Sequence, residues 1–228
     1  MYVLEQVRGR LIVSCQALPE EPLHSSFIMG RMAQAAKEGG AAAIRAQGVA
    51  DIQEICRVAQ LPVIGLIKRN YGDSDIYITA TRREVAELLT TDCTMIALDM
   101  TGRHRPAGEQ AADLVRCIHA GGRLVLADMS TCAEGLAAEA AGVDAISTTM
   151  SGYTPYSRHL AGPDVKLVRE LTQQAHIPVF AEGRINRPED IERVMAAGAY
   201  APIIGSAITR PQLITAGFSA ALKEWEDA

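Results

Sequence analysis

Residues 111–150 read AADLVRCIHAGGRLVLADMSTCAEGLAAEAAGVDAISTTM and contain the repeating unit from which the fold is predicted. A helix-like stretch of small and apolar residues ends at Gly121-Gly122, and the apolar run Leu124–Ala127 follows it. The pattern then recurs, with Gly142 before a run that begins at Ala145. Glycine ends helices because it adopts positive φ at little cost. Successive runs begin roughly 20 to 35 residues apart, which is the size of one βα unit.

Eight such apolar, β-branched runs cross the whole chain. Their nearly continuous apolar character is typical of parallel strands buried on both faces. They begin near Leu11, Ala42, Val63, Met95, Arg123, Ala145, Val179 and Pro202. The helix-like stretches between them are Ser25–Glu38, Asp51–Gln60, Arg82–Leu89, Glu109–Ala120, Thr131–Ala141, Val165–Ala175, Pro188–Ala197 and Pro211–Trp225.

Eight strands alternating with eight helices predict an α/β fold, a single (β/α)8 TIM barrel, with residues 1–228 as one catalytic domain. The alternative is an open, doubly wound sheet, which would want a glycine-rich turn after the first strand. That strand is followed by Gln16-Ala17-Leu18-Pro19, which contains no glycine. The barrel is therefore favoured.

Composition excludes several classes of protein. The 228 residues are 48% apolar and 21% charged, with a net charge of −5, which argues against disorder and against nucleic-acid binding. No apolar stretch reaches the roughly 18 residues needed to span a bilayer, and the N-terminus does not resemble a secretory signal. Five cysteines, an odd number without a C-x-x-C pair, indicate reduced thiols in a cytoplasmic protein. We find no metal-ligand spacing among Cys and His.

Polar residues at the ends of the strands are the candidates for chemistry, because the loops that follow barrel strands form the active-site face. Lys68 is the strongest candidate: of the four lysines, it alone ends an apolar strand. Partial desolvation there would lower its pKa and supply a neutral amine. Glu182, at the end of the seventh run, is the second acid/base candidate or the partner that orients Lys68. The simpler alternative for both residues is a structural ion pair.

Further strand-end residues predict substrate contacts. Asp128 closes the fifth run and could accept hydrogen bonds from substrate hydroxyls. Gly183-Arg184 and Gly205-Ser206 follow the seventh and eighth runs, where many barrels bind phosphate through backbone N–H groups. Arg184 and Arg210 could add charge to that site.

Taken together, eight strand-end motifs resemble one family, the bacterial N-acetylmannosamine-6-phosphate 2-epimerases. The motifs are Ser14–Ala17, Ala43–Ala46, Gly65–Lys68, Ala97–Thr101, Ala127–Thr131, Ser147–Thr154, Ala181–Ile185 and Ile204–Pro211. The resemblance extends from about Arg10 to the last helix. It implies a cytoplasmic homodimer of amino-sugar and sialic-acid catabolism that uses no metal or nucleotide cofactor. Its substrate would be a phosphorylated N-acetylhexosamine, epimerised between N-acetyl-D-mannosamine 6-phosphate and N-acetyl-D-glucosamine 6-phosphate.

Residue roles also follow from the resemblance. Lys68 would be the main proton-transfer residue, with Glu182 as its acid/base partner. The sugar and its N-acetyl group would be held by Gln16, Arg45, Asp128 and Arg210, and the phosphate by Gly183, Arg184, Gly205 and Ser206. These residues suit a mechanism with one base that reaches both faces of C2. They suit equally a mechanism with two bases on opposite faces.

Three other functions remain open from the residues alone. A strand-end lysine can form a Schiff base, so an aldolase-type lyase that acts on a phosphosugar through Lys68 is the first. A phosphosugar-binding barrel without turnover, and a different phosphate-binding isomerase, are the others. The apolar stripe of the last helix, Pro211–Trp225, covers either the barrel or a second subunit, and packing on the barrel core is favoured.

Overall fold

Eight parallel strands close into a barrel in the order of the chain. The structure is a computed structural model, and it describes residues 2–222. Each strand pairs with the next, and the last pairs with the first, so the predicted (β/α)8 barrel is confirmed. The strands are β1 (Ile12–Cys15), β2 (Ala43–Gln47), β3 (Val63–Leu66), β4 (Met95–Asp99), β5 (Leu124–Asp128), β6 (Ala145–Ser147), β7 (Val179–Glu182) and β8 (Ala201–Ile204).

The helices lie between the strands close to where the sequence predicts them. They are α1 (Tyr2–Val7), α2 (Ser26–Glu38), α3 (Val49–Ala59), α4 (Arg82–Leu89), α5 (Ala111–Ala120), α6 (Cys132–Ala140), α7 (Val165–Gln174), α8 (Pro188–Ala196), α9 (Ser206–Thr209) and α10 (Pro211–Ala220). Two short helices, α1 and α9, are not predicted. Within the described part of the chain, no helix is long and apolar enough to cross a bilayer.

Alternation along each strand separates two apolar layers. In β2, for example, Ala43 belongs to the cluster inside the barrel, and Ile44 and Ala46 belong to the cluster between the barrel and the helices. The same two-residue period in β3 places Ile64 and Leu66 inside. The inner cluster fills the barrel, so the lumen is a packed core and only its rim is open to substrate.

Two helix caps hold the loops that leave this rim. Thr81 begins α4 and Thr131 begins α6, each in a capping box with the glutamate three residues later. Each box satisfies two backbone N–H groups and is worth about 1 kcal/mol. The loops after β3 and β5 are therefore anchored close to the strands whose end residues they carry.

Helix α10 does not cover the barrel, so the favoured packing of its apolar stripe on the core is wrong. None of its residues is buried, and Leu213 and Phe218 are 51% and 77% exposed. Leu222, just beyond the helix, is also exposed. Trp225, the last member of the predicted stripe, lies outside the described residues.

Candidate active site

A cavity of about 340 Å³ opens at the carboxyl ends of the strands. Its size suits a small phosphorylated sugar. The predicted site residues on its wall are Gln16, Arg45, Lys68, Glu182, Gly183, Arg184, Gly205, Ser206 and Arg210. Asp128 is fully buried and is not part of the wall. The barrel therefore brings the predicted residues together, with Asp128 one layer further in.

The two-residue period of the strands explains this convergence. Arg45 continues the inward row that starts at Ala43, and Lys68 continues the row of Ile64 and Leu66. Asp128 and Glu182 follow inward-facing Leu126 and Phe180 in the same way. In these four strands the inward row thus changes from apolar to polar near or just beyond the carboxyl end.

Arg45 is the cation that pairs with both strand-end acids. Its Nη1 donates to Glu182 Oε2 at 2.7 Å and to Asp128 Oδ1 at 2.9 Å, and its Nη2 donates to Asp128 Oδ2 at 2.6 Å. The Arg45 side chain is 1% exposed and that of Asp128 is 0% exposed. A bidentate pair of this kind fixes the plane of the guanidinium. Asp128, which is predicted to contact the sugar, is paired with Arg45 and does not line the cavity in this structure.

Lys68 lies two residues beyond β3, in a short antiparallel bridge with Ile78. Backbone bonds from Arg69 N to Tyr77 O and from Thr79 N to Ile67 O flank the bridge and fix its backbone. Burial, together with the nearby guanidinium groups of Arg45 and Arg210, lowers the pKa of Lys68 to about 8. Glu182 and Glu21 act against this shift, but burial and the two guanidinium groups outweigh them, so part of the Lys68 amine is neutral, as the sequence predicts.

Glu182 is a carboxyl group whose charge is opposed by its surroundings. Burial raises its pKa; Arg45 acts against that shift, and Asp128 adds to it. Its Oε2 is held by Arg45 and by Thr149 Oγ1, each at 2.7 Å. Its side chain is 13% exposed, in the wall of the cavity. Glu182 thus reaches the cavity while one of its oxygens is held in place.

Gln16 enters the cavity from the end of β1. Its Nε2 donates to Ser14 Oγ at 2.7 Å. Its Oε1 is buried and has no hydrogen-bond partner among residues 2–222. A buried amide oxygen left without a donor costs free energy, so a donor from a ligand would stabilise it.

The backbone after β7 is unusual at the predicted phosphate site. Gly183 and Arg184 have φ of +105° and +54° in succession, both in the left-handed region, and both residues line the cavity. Glycine at 183 adopts this conformation at little cost and leaves no side chain between the backbone and the cavity. Gly205 differs, because its φ is −112°. A Cβ there would lie 3.3 Å from Ser14 Cβ, so glycine at 205 allows the backbone after β8 to pack closely against β1.

The two arginines predicted near the phosphate differ in what their side chains do. Arg184 Nη1 donates to Ser151 O at 2.7 Å and its Nε donates to Gly162 O at 3.1 Å. Its guanidinium therefore ties together the two ends of the loop after β6. Arg210 Nε forms an ion pair with Glu21 Oε1 at 2.9 Å. Arg210 also lines the cavity, so its guanidinium lies within reach of an anion bound there.

Sequence reasoning missed Ser14, Tyr77 and Thr149, which also line the cavity. Ser14 lies on the inward row of β1, two residues beyond buried Ile12, so counting in twos could have found it. Thr149 lies in the 3₁₀ turn Thr148–Met150 after β6, where the strand period has ended. Tyr77 comes from the loop after β3, and no strand period reaches it. Among residues 2–222, no three His, Cys, Asp or Glu side chains are grouped as metal ligands.

Comparison with known proteins shows that the chain is similar to proteins described as N-acetylmannosamine-6-phosphate epimerases. A family model, "Putative N-acetylmannosamine-6-phosphate epimerase", matches residues 29–224. Relatives named "Putative N-acetylmannosamine-6-phosphate 2-epimerase" include one from Clostridium perfringens strain 13, 62% identical over 97% of this chain and 100% of the relative. Another, from Clostridioides difficile strain 630, is 58% identical over 97% and 99%.

A solved structure of the N-acetylmannosamine-6-phosphate 2-epimerase from Clostridium perfringens has the same fold. Its TM-score is 0.96 and its sequence identity is 60%, with 97% of each chain covered. Identity at this level over nearly the full length of both chains carries the family as well as the fold. The chain therefore belongs to the N-acetylmannosamine-6-phosphate epimerase family.

Proposed function

We propose that this protein is an epimerase that interconverts N-acetyl-D-mannosamine 6-phosphate and N-acetyl-D-glucosamine 6-phosphate at C2. Membership of the epimerase family supports this reaction. The structural observation that carries it is one cavity that contains the amine of Lys68, with a pKa of about 8, and the loops after β7 and β8, where many barrels bind phosphate. A base and an anion site in one cavity suit a phosphorylated sugar that must lose a proton from carbon.

The proposed chemistry is removal and return of a proton. Inverting C2 without oxidation requires its proton to leave, and that proton becomes acidic when the ring opens to the C1 aldehyde. The neutral amine of Lys68 takes the proton and becomes an ammonium, while the electron pair of the C–H bond forms the enediolate. The Lys68 ammonium and the Arg45 guanidinium stabilise the new oxyanion. The Lys68 ammonium, or Glu182 as an acid, then delivers a proton to the opposite face of C2 and gives the epimer; where Glu182 is the donor, Lys68 loses its proton and Glu182 regains one through solvent before the next turnover.

The remaining residues hold the substrate in this proposal. Gln16 Oε1, which lacks a donor, accepts a hydrogen bond from a hydroxyl or from the N-acetyl N–H group of the sugar. Arg210 and the backbone of Gly183 and Arg184 meet the phosphate. Gly205 and Ser206 complete that end of the cavity. Asp128 acts through Arg45, which it orients.

The setting of the enzyme is also a proposal. Residues 1–228 form one catalytic domain, since the barrel uses strands from Ile12 to Ile204. The five cysteines are free, as is typical of a cytoplasmic enzyme. The exposed apolar face of α10 supports a homodimer in which this helix contacts a second copy of the chain.

Hydrogen exchange at C2 tests the reaction. Turnover in D₂O should place deuterium at C2 of the product, and substrate deuterated at C2 should react more slowly. Nuclear magnetic resonance of the product and the two initial rates provide these readouts. A product without deuterium combined with equal rates for the two substrates would show that the C2–H bond is not broken.

Borohydride separates the epimerase from the aldolase-type lyase. A lyase that works through Lys68 forms an imine with its substrate, and borohydride reduces it to a stable adduct. We expect intact mass spectrometry to show no adduct after borohydride treatment with either sugar phosphate. An adduct that is lost in Lys68→Met would support the lyase instead.

A further inference from the structure

The hydroxyl of Thr149 lies between two carboxyl groups. Thr149 is in the 3₁₀ turn Thr148–Met150 that follows β6. Its Oγ1 is 2.7 Å from Asp128 Oδ1 and 2.7 Å from Glu182 Oε2. It is also 2.8 Å from Ser147 Oγ. These are normal O–H···O hydrogen-bond lengths, so each of the three contacts requires a proton between its two oxygens.

Counting protons shows that the hydroxyl groups are insufficient. Thr149 and Ser147 each supply one proton, and there are three contacts to fill. If Ser147 donates to Thr149 and Thr149 donates to one carboxylate, the contact with the other carboxylate has no proton. Two oxygens 2.7 Å apart without a proton would repel each other, most of all where one is ionised. One of the two carboxyl groups must therefore carry the third proton.

Contacts with Arg45 identify which group carries it. Asp128 receives guanidinium hydrogen bonds on both oxygens, at 2.9 and 2.6 Å, which favours its ionised form. Glu182 receives only one, at 2.7 Å on Oε2. The charged groups that face Glu182 are Arg45 from β2, Lys68 from beyond β3 and Asp128 from β5. Burial and the charge of Asp128 raise the pKa of Glu182, which agrees with this assignment.

We propose that Thr149 is a positioning residue that holds Glu182 as a neutral carboxylic acid. Its hydroxyl oxygen accepts a hydrogen bond from the protonated Glu182 carboxyl, and its own O–H donates a hydrogen bond to Asp128. Glu182 Oε1 takes no part in these bonds. This inference deepens the proposed function and rests on it. In the proposed reaction, a neutral Glu182 does not repel the enediolate and retains a proton that it can donate.

Infrared spectroscopy of the unliganded enzyme tests the protonation state without turnover. Wild type at neutral pH should show the carbonyl-stretch band of a carboxylic acid that is missing from Glu182→Gln. We expect that band to persist unchanged in Thr149→Ser, which keeps the hydroxyl, and to move or disappear in Thr149→Val. The absence of such a band from wild type, or an identical band in Thr149→Val, would overturn the proposal.

Kinetics tests the consequence for the reaction. We expect Thr149→Val to lower kcat by about tenfold or more, the effect of one lost hydrogen bond to a charged or reacting group, with KM changed less than about twofold. Thr149→Ser should restore most of kcat. The control is Thr94→Val, which removes the hydroxyl bonded to Val63 O at the opposite end of the barrel and should match wild type.

The two readouts distinguish failure of this inference from failure of the proposed function. If the enzyme epimerises the two sugar phosphates but Thr149→Val has wild-type kcat, the positioning role of Thr149 is wrong. If no epimerisation is found, the proposed function fails, and the infrared band still decides whether Thr149 holds a neutral Glu182. Thermal melting of each variant identifies a loss of kcat that comes from unfolding.

Discussion

Lys68 carries a charge that its surroundings oppose. Burial removes water from the ammonium, and the guanidinium groups of Arg45 and Arg210 repel it, so its pKa is about 8. Glu182 faces the opposite case, since burial disfavours its carboxylate and raises its pKa. Burial thus moves both pKa values toward neutrality, which favours the uncharged base on Lys68 and the uncharged acid on Glu182.

Replacing the amine tests its role in the reaction. Lys68→Met keeps the length of the side chain and removes the base, so we expect kcat to fall by roughly 10²–10⁴-fold while KM changes little. A coupled assay of epimer formation provides both constants. Lys166→Met is the matched control, because Lys166 is 72% exposed on α7. Wild-type kcat in Lys68→Met would contradict the mechanism.

The pKa of Lys68 predicts how the rate depends on pH. The reaction needs the neutral amine, and its fraction rises from roughly one tenth at pH 7 to nine tenths at pH 9 for a pKa of about 8. We therefore expect kcat/KM to increase through about pH 8. The profile is measured with substrate well below KM. A rate that falls as pH passes 8 would mean that the ammonium form is the active one.

At the scale of elements, the loop after β7 is the proposed phosphate site. Gly183 has φ of +105°, a conformation that side chains with a Cβ rarely adopt. The space around it is open, since the nearest atom to a Cβ at 183 would be 3.9 Å away. A substitution there thus acts through backbone strain and not through a clash.

Gly183→Ala tests whether this backbone holds the phosphate. Strain of about 1–3 kcal/mol should shift the backbone at the proposed phosphate site, so we expect KM for the sugar phosphate to rise by about tenfold. Gly142→Ala is the matched control, with φ of +90° and open space at the opposite end of the barrel. Both variants should melt earlier than wild type, but only Gly183→Ala should bind the sugar phosphate more weakly. Equal KM values in the two variants would mean that this loop does not bind the phosphate.

At the scale of the whole molecule, the barrel is closed but its last helix is uncovered. Phe218 is 77% exposed on α10, and Leu213 on the same helix and Leu222 just beyond it are also exposed. Exposed apolar surface of this kind is typical of a site of protein–protein contact. A second copy of the same chain is the partner that the proposed homodimer supplies.

Phe218→Glu tests the homodimer. A charge placed in an apolar interface is left without a partner. We therefore expect the dissociation constant of the dimer to rise by at least about tenfold. Size-exclusion chromatography with light scattering over a range of concentrations measures this. Ala137→Glu, on exposed α6 across the barrel, should leave the assembly unchanged. A wild-type protein that is monomeric throughout would refute the homodimer.

Local patterns in the sequence were sufficient for the barrel and for the types of residue at its mouth. Glycine after a helix, an apolar run and a polar end residue all lie within one βα unit, so Lys68 and Glu182 could be recognised without the structure. Ser14 obeys the same two-residue period. Thr149 does not, because it lies in a 3₁₀ turn beyond the end of β6.

Contacts across the barrel were decided by the tertiary structure alone. Arg45 is 83 residues from Asp128 and 137 residues from Glu182 along the chain, and only closure of the sheet brings the three together. No local pattern shows whether Arg45 or Lys68 forms the ion pairs with Asp128 and Glu182. This pairing affects how much of the Lys68 amine is neutral. The same holds for α10: its apolar stripe predicts a covered face, but whether the barrel or a second chain covers it depends on where the helix lies after β8.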